Sequence, residues 1–191
     1  MSRMDTLRQA RSVLAAPFLY GPNDGTERVA FEGTILAGEL AAGATIALEL
    51  EGVVTTVGGQ PVLDIRWRIG PTTLTGIMVV QHAETNPVAT TSWRIYNSNN
   101  VADKSIQIRA LATVQTAGAA GTVLGGGICL ADSTSGDFKI IGSGDRTARG
   151  PIDTTIDNRC EVTLDFDDVA ANTVQINNAT LSWICQDPPH L

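Results

Sequence analysis

The 191-residue sequence has few of the residues on which protein chemistry most often depends. It contains two histidines, His82 and His190, and three widely spaced cysteines, Cys129, Cys160 and Cys185. No G-x-S-x-G elbow, Cys-x-x-Cys pair or Cys/His cluster is present, so neither a catalytic triad nor a zinc site is predicted. We expect buried free thiols in a protein made in a reducing cytoplasm, with one disulfide plus one free thiol as the alternative.

The sequence also lacks long apolar runs and a basic excess. No run approaches the roughly 20 apolar residues that span a bilayer, so no membrane partner is expected. The stretch Val13–Tyr20 is apolar, but Pro17 interrupts it and Asp5 lies in its basic flank, which argues against a signal peptide. With 13 basic and 20 acidic residues the net charge is -7. A body this acidic repels phosphate backbones, so nucleic-acid binding is not expected.

Helical periodicity is confined to the first sixteen residues. Met4, Leu7, Ala10 and Leu14 fall near one face of a helix that Pro17 would end. One interpretation of this segment is a frayed terminus. The other is a basic arm that becomes ordered on an acidic partner surface. The candidate partner-binding residues of this arm are Arg3, Leu7, Arg8, Arg11 and Leu14.

After the turn-rich segment Tyr20–Gly25 the sequence alternates with a period of two. The clearest predicted strand spans Leu63–Ile69: Leu63, Ile65, Trp67 and Ile69 share a face that we assign to the core, and Asp64, Arg66 and Arg68 share the other. The turn sequence Val57–Pro61 separates it from the alternating stretch Leu48–Glu51 and predicts a hairpin between the two.

More strands are predicted at short intervals along the chain. They are Ile77–Gln81, Ser92–Tyr96, Ile106–Val114, Val123–Leu130, Phe138–Ile141, Arg159–Phe166 and Val174–Cys185, the last as one strand or two. Nine or ten short strands without helices between them predict an all-β fold, an antiparallel β-sandwich of the jelly-roll type with a short N-terminal arm. We divide the chain into an arm and linker (1–25), the sandwich (26–187) and a C-terminal tail (188–191).

Acidic residues concentrate near the predicted strand Arg159–Phe166. We favour a solvated acidic strand face over Glu161–Asp168, with a calcium site as one alternative. The other is a carbohydrate-active enzyme that uses Asp165 and Asp167 as its paired carboxylates. The D-x-D-x-D-G pattern of a calcium loop is missing, and only 5% of residues are aromatic, few for a sugar cleft. We therefore expect no catalytic, cofactor or metal site.

Glycines cluster at Gly125–Gly127, but the Lys-Ser/Thr that follows a phosphate-binding loop is absent. The cluster lies within strand-like sequence. It is expected to mark a bulge or the close approach of another backbone.

Four segments together resemble the jelly-roll virion proteins of tailed bacteriophages. The resemblance covers most of residues 30–186 and consists of a pattern of strands and turns. The segments are Gly33–Gly43, Val62–Gly70, Thr154–Asp165 and Asn172–Cys185. The resemblance implies a non-enzymatic virion component, commonly trimeric, that is made in the host cytoplasm and sits on the particle.

Two function classes remain open beside the enzyme. The favoured one is a capsid decoration or head-spike protein whose arm binds the capsid or another virion protein. Deleting residues 1–16 is then expected to abolish particle binding and leave the fold intact. The alternative is a receptor- or glycan-binding module of a tail or fibre, with a rim formed by Tyr20, Tyr96 and the loops Asn97–Asn100 and Gly142–Gly150.

Overall fold

The structure is a computed structural model that describes residues 8–22, 24–57, 61–74, 77–78, 93–96, 101–132, 138–142, 150–167 and 170–185. Its strands are β1 (Arg8–Val13), β2 (Phe18–Tyr20), β3 (Arg28–Ile35), β4 (Thr45–Thr56), β5 (Val62–Gly70), β6 (Ile77–Met78), β7 (Trp93–Tyr96), β8 (Val101–Thr116), β9 (Gly121–Asp132), β10 (Phe138–Gly142), β11 (Gly150–Ile152), β12 (Asn158–Phe166) and β13 (Thr173–Cys185). Within the described residues no helix is long and apolar enough to cross a membrane.

The strands form two antiparallel sheets. In sheet A the order is β1-β13-β4-β8-β9-β10, with β2 also pairing with β13 and β11 with β9. In sheet B the order is β3-β12-β5-β6, with β7 also pairing with β5. The predicted all-β class, an antiparallel sandwich of the jelly-roll type, is confirmed.

The core lies between the two sheets and follows the predicted alternation. Leu63, Ile65, Trp67 and Ile69 are at most 1% exposed, and the inward side chains of β4 and β8 are at most 4% exposed. Because every second residue of a strand points to the same side, one buried residue fixes the face of all the others. The core assignments for Leu63–Ile69 and for the apolar residues of β12 are therefore confirmed.

The predicted hairpin between Leu48–Glu51 and Leu63–Ile69 is wrong. Strand β4 pairs with β13 and β8 in sheet A, whereas β5 pairs with β12, β6 and β7 in sheet B. The chain thus passes from one layer of the sandwich to the other between β4 and β5. A turn sequence predicts a reversal of direction, and the sheet that the next strand joins depends on partners far away in sequence.

The helical interpretation of the first sixteen residues is also wrong where the structure describes them. Residues 8–13 form β1, which pairs with β13 from Arg8 opposite Cys185 to Val13 opposite Thr180. A helix this short is marginal in water on its own, and pairing with a long strand of the sandwich outweighs its weak periodicity. Pro17 falls between β1 and β2, where the edge strand is interrupted, so its missing N–H costs no hydrogen bond of the sheet.

Candidate functional site

Two of the predicted partner-binding residues, Arg8 and Arg11, lie on β1 at the edge of sheet A, and Leu14 directly follows this strand. Arg3 and Leu7 lie outside the described residues, as does the side chain of Arg8. Arg11 is exposed, and its Nη2 lies 3.4 Å from Thr180 Oγ1 on β13. Leu14 packs partly against the core. Of the predicted set, the structure therefore places Arg11 on the surface and Leu14 at the margin of the core.

Strand β1 is also attached to sheet B. The Ser12 hydroxyl donates a hydrogen bond to the backbone carbonyl of Glu32 on β3, at 3.2 Å. A Cβ added at Gly33 would lie 2.9 Å from both Ser12 Cβ and Leu181 Cδ2, so a larger residue there would collide with β1. The glycine lets the edge strands of the two sheets approach, and this contact closes one side of the sandwich.

A shallow groove of about 500 Å³ runs along this closed side. Its walls are the end of β1 and the outward part of β3, and Arg159 forms an ion pair with Glu32 at 2.9 Å at its rim. Its apolar lining residues are Val13, Leu14, Ala15, Val29, Ala30 and Phe31. The groove is open, partly apolar and bordered by charge.

The acidic face of β12 differs from the predicted solvated face. Glu161 is 2% exposed, and its Oε2 accepts a hydrogen bond from the backbone N–H of Leu74 at 2.9 Å. Asp165 forms an ion pair with Arg66 on β5 at 3.0 Å. The prediction of a solvated face is therefore wrong for Glu161, whereas Asp165 is partly exposed and Asp167 is exposed. Opposite charges on Asp165 and Arg66 were the sequence signal for this pairing.

The carboxylates considered for catalysis or calcium are engaged in structural contacts. Asp167 Oδ1 accepts a hydrogen bond from the backbone N–H of Val62 at 2.8 Å, at the start of β5. Glu161 Oε1 is buried without a hydrogen-bond partner. Among the described residues, no group of three His, Cys, Asp or Glu side chains could hold a metal ion.

Tyr20 does not belong to an exposed binding rim. Its side chain is 1% exposed, and its hydroxyl lies 2.9 Å from the backbone carbonyls of Asp24 and Thr26. Its ring packs tilted against Phe166 with the ring centroids 5.7 Å apart. Burial raises the pKa of the Tyr20 hydroxyl. The side chain of Tyr96 and residues 97–100 and 143–149 of the predicted rim lie outside the described residues.

The outer face of sheet A, which points away from sheet B, carries a second surface that the sequence interpretation missed. Leu111 is 58% exposed there and Ile128 41%. Beside Leu111 lies a mainly apolar depression of about 390 Å³ whose floor includes Gly126 and Gly127. The sequence signal for this surface was Leu111, a leucine on the outward and otherwise polar side of the predicted strand Ile106–Val114.

Gly127 lies directly opposite the buried Ala110 in the pairing of β8 with β9. A Cβ added there would lie 2.5 Å from Ala110 Cβ and 2.6 Å from the Arg109 carbonyl oxygen. Strands β8 and β9 therefore approach closely at this glycine, and the prediction of a close backbone approach within Gly125–Gly127 is confirmed.

No protein-family model and no curated protein matches the chain. Among solved structures, a peanut lectin with a nine-residue peptide aligns over 94% of this chain and 100% of its own, at 7% identity and a TM-score of 0.46. The CBM2 module of the evolved Dit of Lactobacillus casei BL23 phage J-1 aligns over 82% and 70%, at 13% identity and a TM-score of 0.35. A chain of infectious bursal disease virus, Gt strain, aligns over 96% and 38%, at 11% identity and a TM-score of 0.33. None of these scores reaches one half, so the similarities support no functional argument.

Proposed function

We propose that the chain is a structural protein of a phage virion, a capsid decoration or head-spike protein that binds the particle along its N-terminal edge. The observation that carries the proposal is the groove between β1 and β3, where Val13 and Ala15 are exposed beside the partly buried Leu14. An edge strand next to an open apolar groove offers both backbone groups and side-chain contacts to a partner.

Charge at this edge favours an acidic partner surface. Arg11 is exposed on β1, whereas Arg159 at the groove is paired with Glu32, and the protein as a whole carries a net charge of -7. An exposed arginine on an acidic protein orients this edge toward an acidic partner surface. The capsid or another virion protein is the partner we propose, with the protein itself forming a homo-oligomer, a trimer by the resemblance.

We propose further that the domain has no enzymatic activity. Asp165 is paired with Arg66, and Asp167 accepts the backbone N–H of Val62, so both carboxylates serve the fold. Substitution Asp165→Asn then weakens folding and removes no turnover of glycan substrates. A glycosidase activity that is present in the unchanged chain and lost in Asp165→Asn would contradict this proposal.

The test of the proposed function is particle association. Particles of a phage from which the gene has been deleted are mixed with purified protein and re-isolated by sedimentation. We expect the unchanged chain to co-sediment, and Val13→Asp and Ala15→Asp to bind about tenfold more weakly, equivalent to ~1.4 kcal/mol. Val57→Asp is the matched control, because Val57 is 49% exposed but does not line the groove.

Two results would overturn the proposal. One is the absence of the protein from particles purified after normal infection. The other is equal particle binding by Val13→Asp, Ala15→Asp and the control, which would remove the groove from the docking surface.

A further inference from the structure

The outer face of sheet A is self-complementary. We infer that it binds a second copy of this chain, face to face, about a two-fold axis that runs parallel to β4 and β8 and midway between them. This inference goes beyond the proposed function, which concerns the groove between β1 and β3 and does not specify which surfaces of two copies meet.

Two oppositely charged residues lie opposite each other on this face. Glu49 on β4 lies directly opposite Arg109 on β8, and both side chains are exposed. Among the described residues, neither side chain forms an ion pair or hydrogen bond within the chain. A two-fold axis between the strands places Glu49 over Arg109 of the partner subunit, and Arg109 over Glu49 of the partner subunit. Each contact then occurs twice, as the symmetry requires.

A small and a large side chain also lie opposite each other on this face. Ala47 lies opposite Leu111 in the same pair of strands, one row away from Glu49 and Arg109. The same axis places Leu111 over Ala47 of the partner subunit, so a large side chain meets a small one in both directions. The depression beside Leu111, lined by Ala47, Gly126 and Gly127, gives the incoming leucine space. Large and small residues on facing layers interdigitate in this way in packed sheets.

The dimensions of the face suit such a contact. Packed sheets lie about 10 Å apart, a gap that an arginine and a glutamate side chain can bridge together. The four strands β13, β4, β8 and β9, at ~4.8 Å spacing and with roughly eight residues of shared length at ~3.4 Å, give about 520 Å² per copy. Two copies bury roughly 1,040 Å², close to the ~1,000 Å² that a specific interface needs.

The experiment measures the mass of the full-length protein in solution by sedimentation equilibrium over a range of concentrations. We expect a species with an even number of 20.1 kDa chains, which is six where the proposed trimer also forms. Glu49→Arg and Arg109→Glu should each weaken its formation at least tenfold, because each places like charges opposite each other twice. The double substitution Glu49→Arg with Arg109→Glu should restore it, since both pairs are then reversed.

Controls separate the interface from folding. Glu51→Arg reverses an exposed charge on the same strand, but Glu51 lies opposite the neutral Gln107, so we expect association to persist. For the apolar contact, Leu111→Asp should abolish association and Leu36→Asp, at a 55% exposed site on a different surface, should not. Thermal unfolding of every variant should stay within a few degrees of the unchanged chain.

Three outcomes would overturn the inference. The first is a monomer at all concentrations up to about 100 μM, and the second is an assembly with only an odd number of chains. The third is a double substitution that fails to restore association although both single variants lose it, since the face would then bind something other than itself. Particle binding along β1 is measured separately, so either proposal can fail alone.

Discussion

Arg68 and Glu27 meet in a two-point contact, in which Arg68 Nε donates to Glu27 Oε1 at 2.9 Å and Nη2 to Oε2 at 3.0 Å. Glu27 precedes β3, Arg68 lies on β5, and β12 runs between these strands. The glutamate thus reaches across a whole strand, and on the way it accepts a hydrogen bond from Thr163 and pairs with Arg66. One loop carboxylate holds the outer side of sheet B together.

Replacing this carboxylate should destabilise the fold. Glu27→Gln keeps the shape and removes the charge that faces two largely buried arginines, so we expect a loss of about 2 kcal/mol in the free energy of unfolding. Urea unfolding measures the loss. Glu32→Gln is the control: it removes an ion pair whose side chains are 51% and 46% exposed, and it should cost about 0.5 kcal/mol or less. Equal effects of the two substitutions would contradict the bridging role of Glu27.

Stability should fall in alkaline solution because of two buried thiols. Cys129 and Cys160 are free and buried, and desolvation raises the pKa of each from 9.0 to about 12. Above pH 9 the unfolded thiols lose their protons while the folded ones keep them. The free energy of unfolding should therefore decrease with rising pH, by roughly 1.4 kcal/mol per pH unit for each thiol.

Urea unfolding between about pH 8 and pH 11 in the presence of a reductant measures this slope. Cys129→Ala should remove about half of the thiol contribution, whatever its effect at neutral pH. The raised pKa of Tyr20 acts in the same direction above pH 10. A stability that stays constant over this range would contradict the burial of the thiols.

The contact between β1 and β3 predicts a local effect of a larger residue at Gly33. Gly33→Val should push β1 away from sheet B, because its side chain would enter the space of Ser12 and Leu181. We expect faster hydrogen exchange in residues 8–13 and a loss of about 1–3 kcal/mol. Combining Gly33→Ala with Ser12→Gly should cost less than the sum of the two changes. Additive costs would show that the two residues do not compete for space.

Truncation at two points tests whether the first strand belongs to the sandwich. Removing residues 1–7 leaves β1 and should leave the melting temperature nearly unchanged. Removing residues 1–16 eliminates the pairing of β1 with β13 and the packing of Leu14. We now expect that deletion to cost about 2 kcal/mol or more, a fall of roughly 4–8 °C in Tm. Equal melting temperatures would restore the view of this segment as a separate arm.

The face of each strong strand could be predicted from the sequence. A period of two permits only two assignments, and Trp67 between Ile65 and Ile69 leaves one of them with a core. The same logic placed Cys160 and Phe166 of β12 inside the sandwich. These predictions needed no knowledge of which strands are neighbours.

The partner of each strand, and the burial of polar side chains by neighbouring segments, could not be predicted in this way. The turn sequence after β4 predicts a reversal, but β5 joins the other sheet because its partner is β12, about a hundred residues later. Glu161 is polar in the sequence and buried in the fold, since Leu74 covers it. The outward Leu111 was visible in the sequence, but the depression beside it is also lined by Gly126, which lies opposite Leu111 on the neighbouring strand β9.

The position of β13 affects the order of events during synthesis. This strand is near the end of the sequence, yet it lies between β4 on one side and β1 and β2 on the other. Until the ribosome has synthesised β13, each of these three earlier strands has one edge without its hydrogen-bonding partner. Folding is therefore governed by contacts distant in sequence, which makes it slow. The nascent chain must be kept from aggregating until translation of β13 is finished.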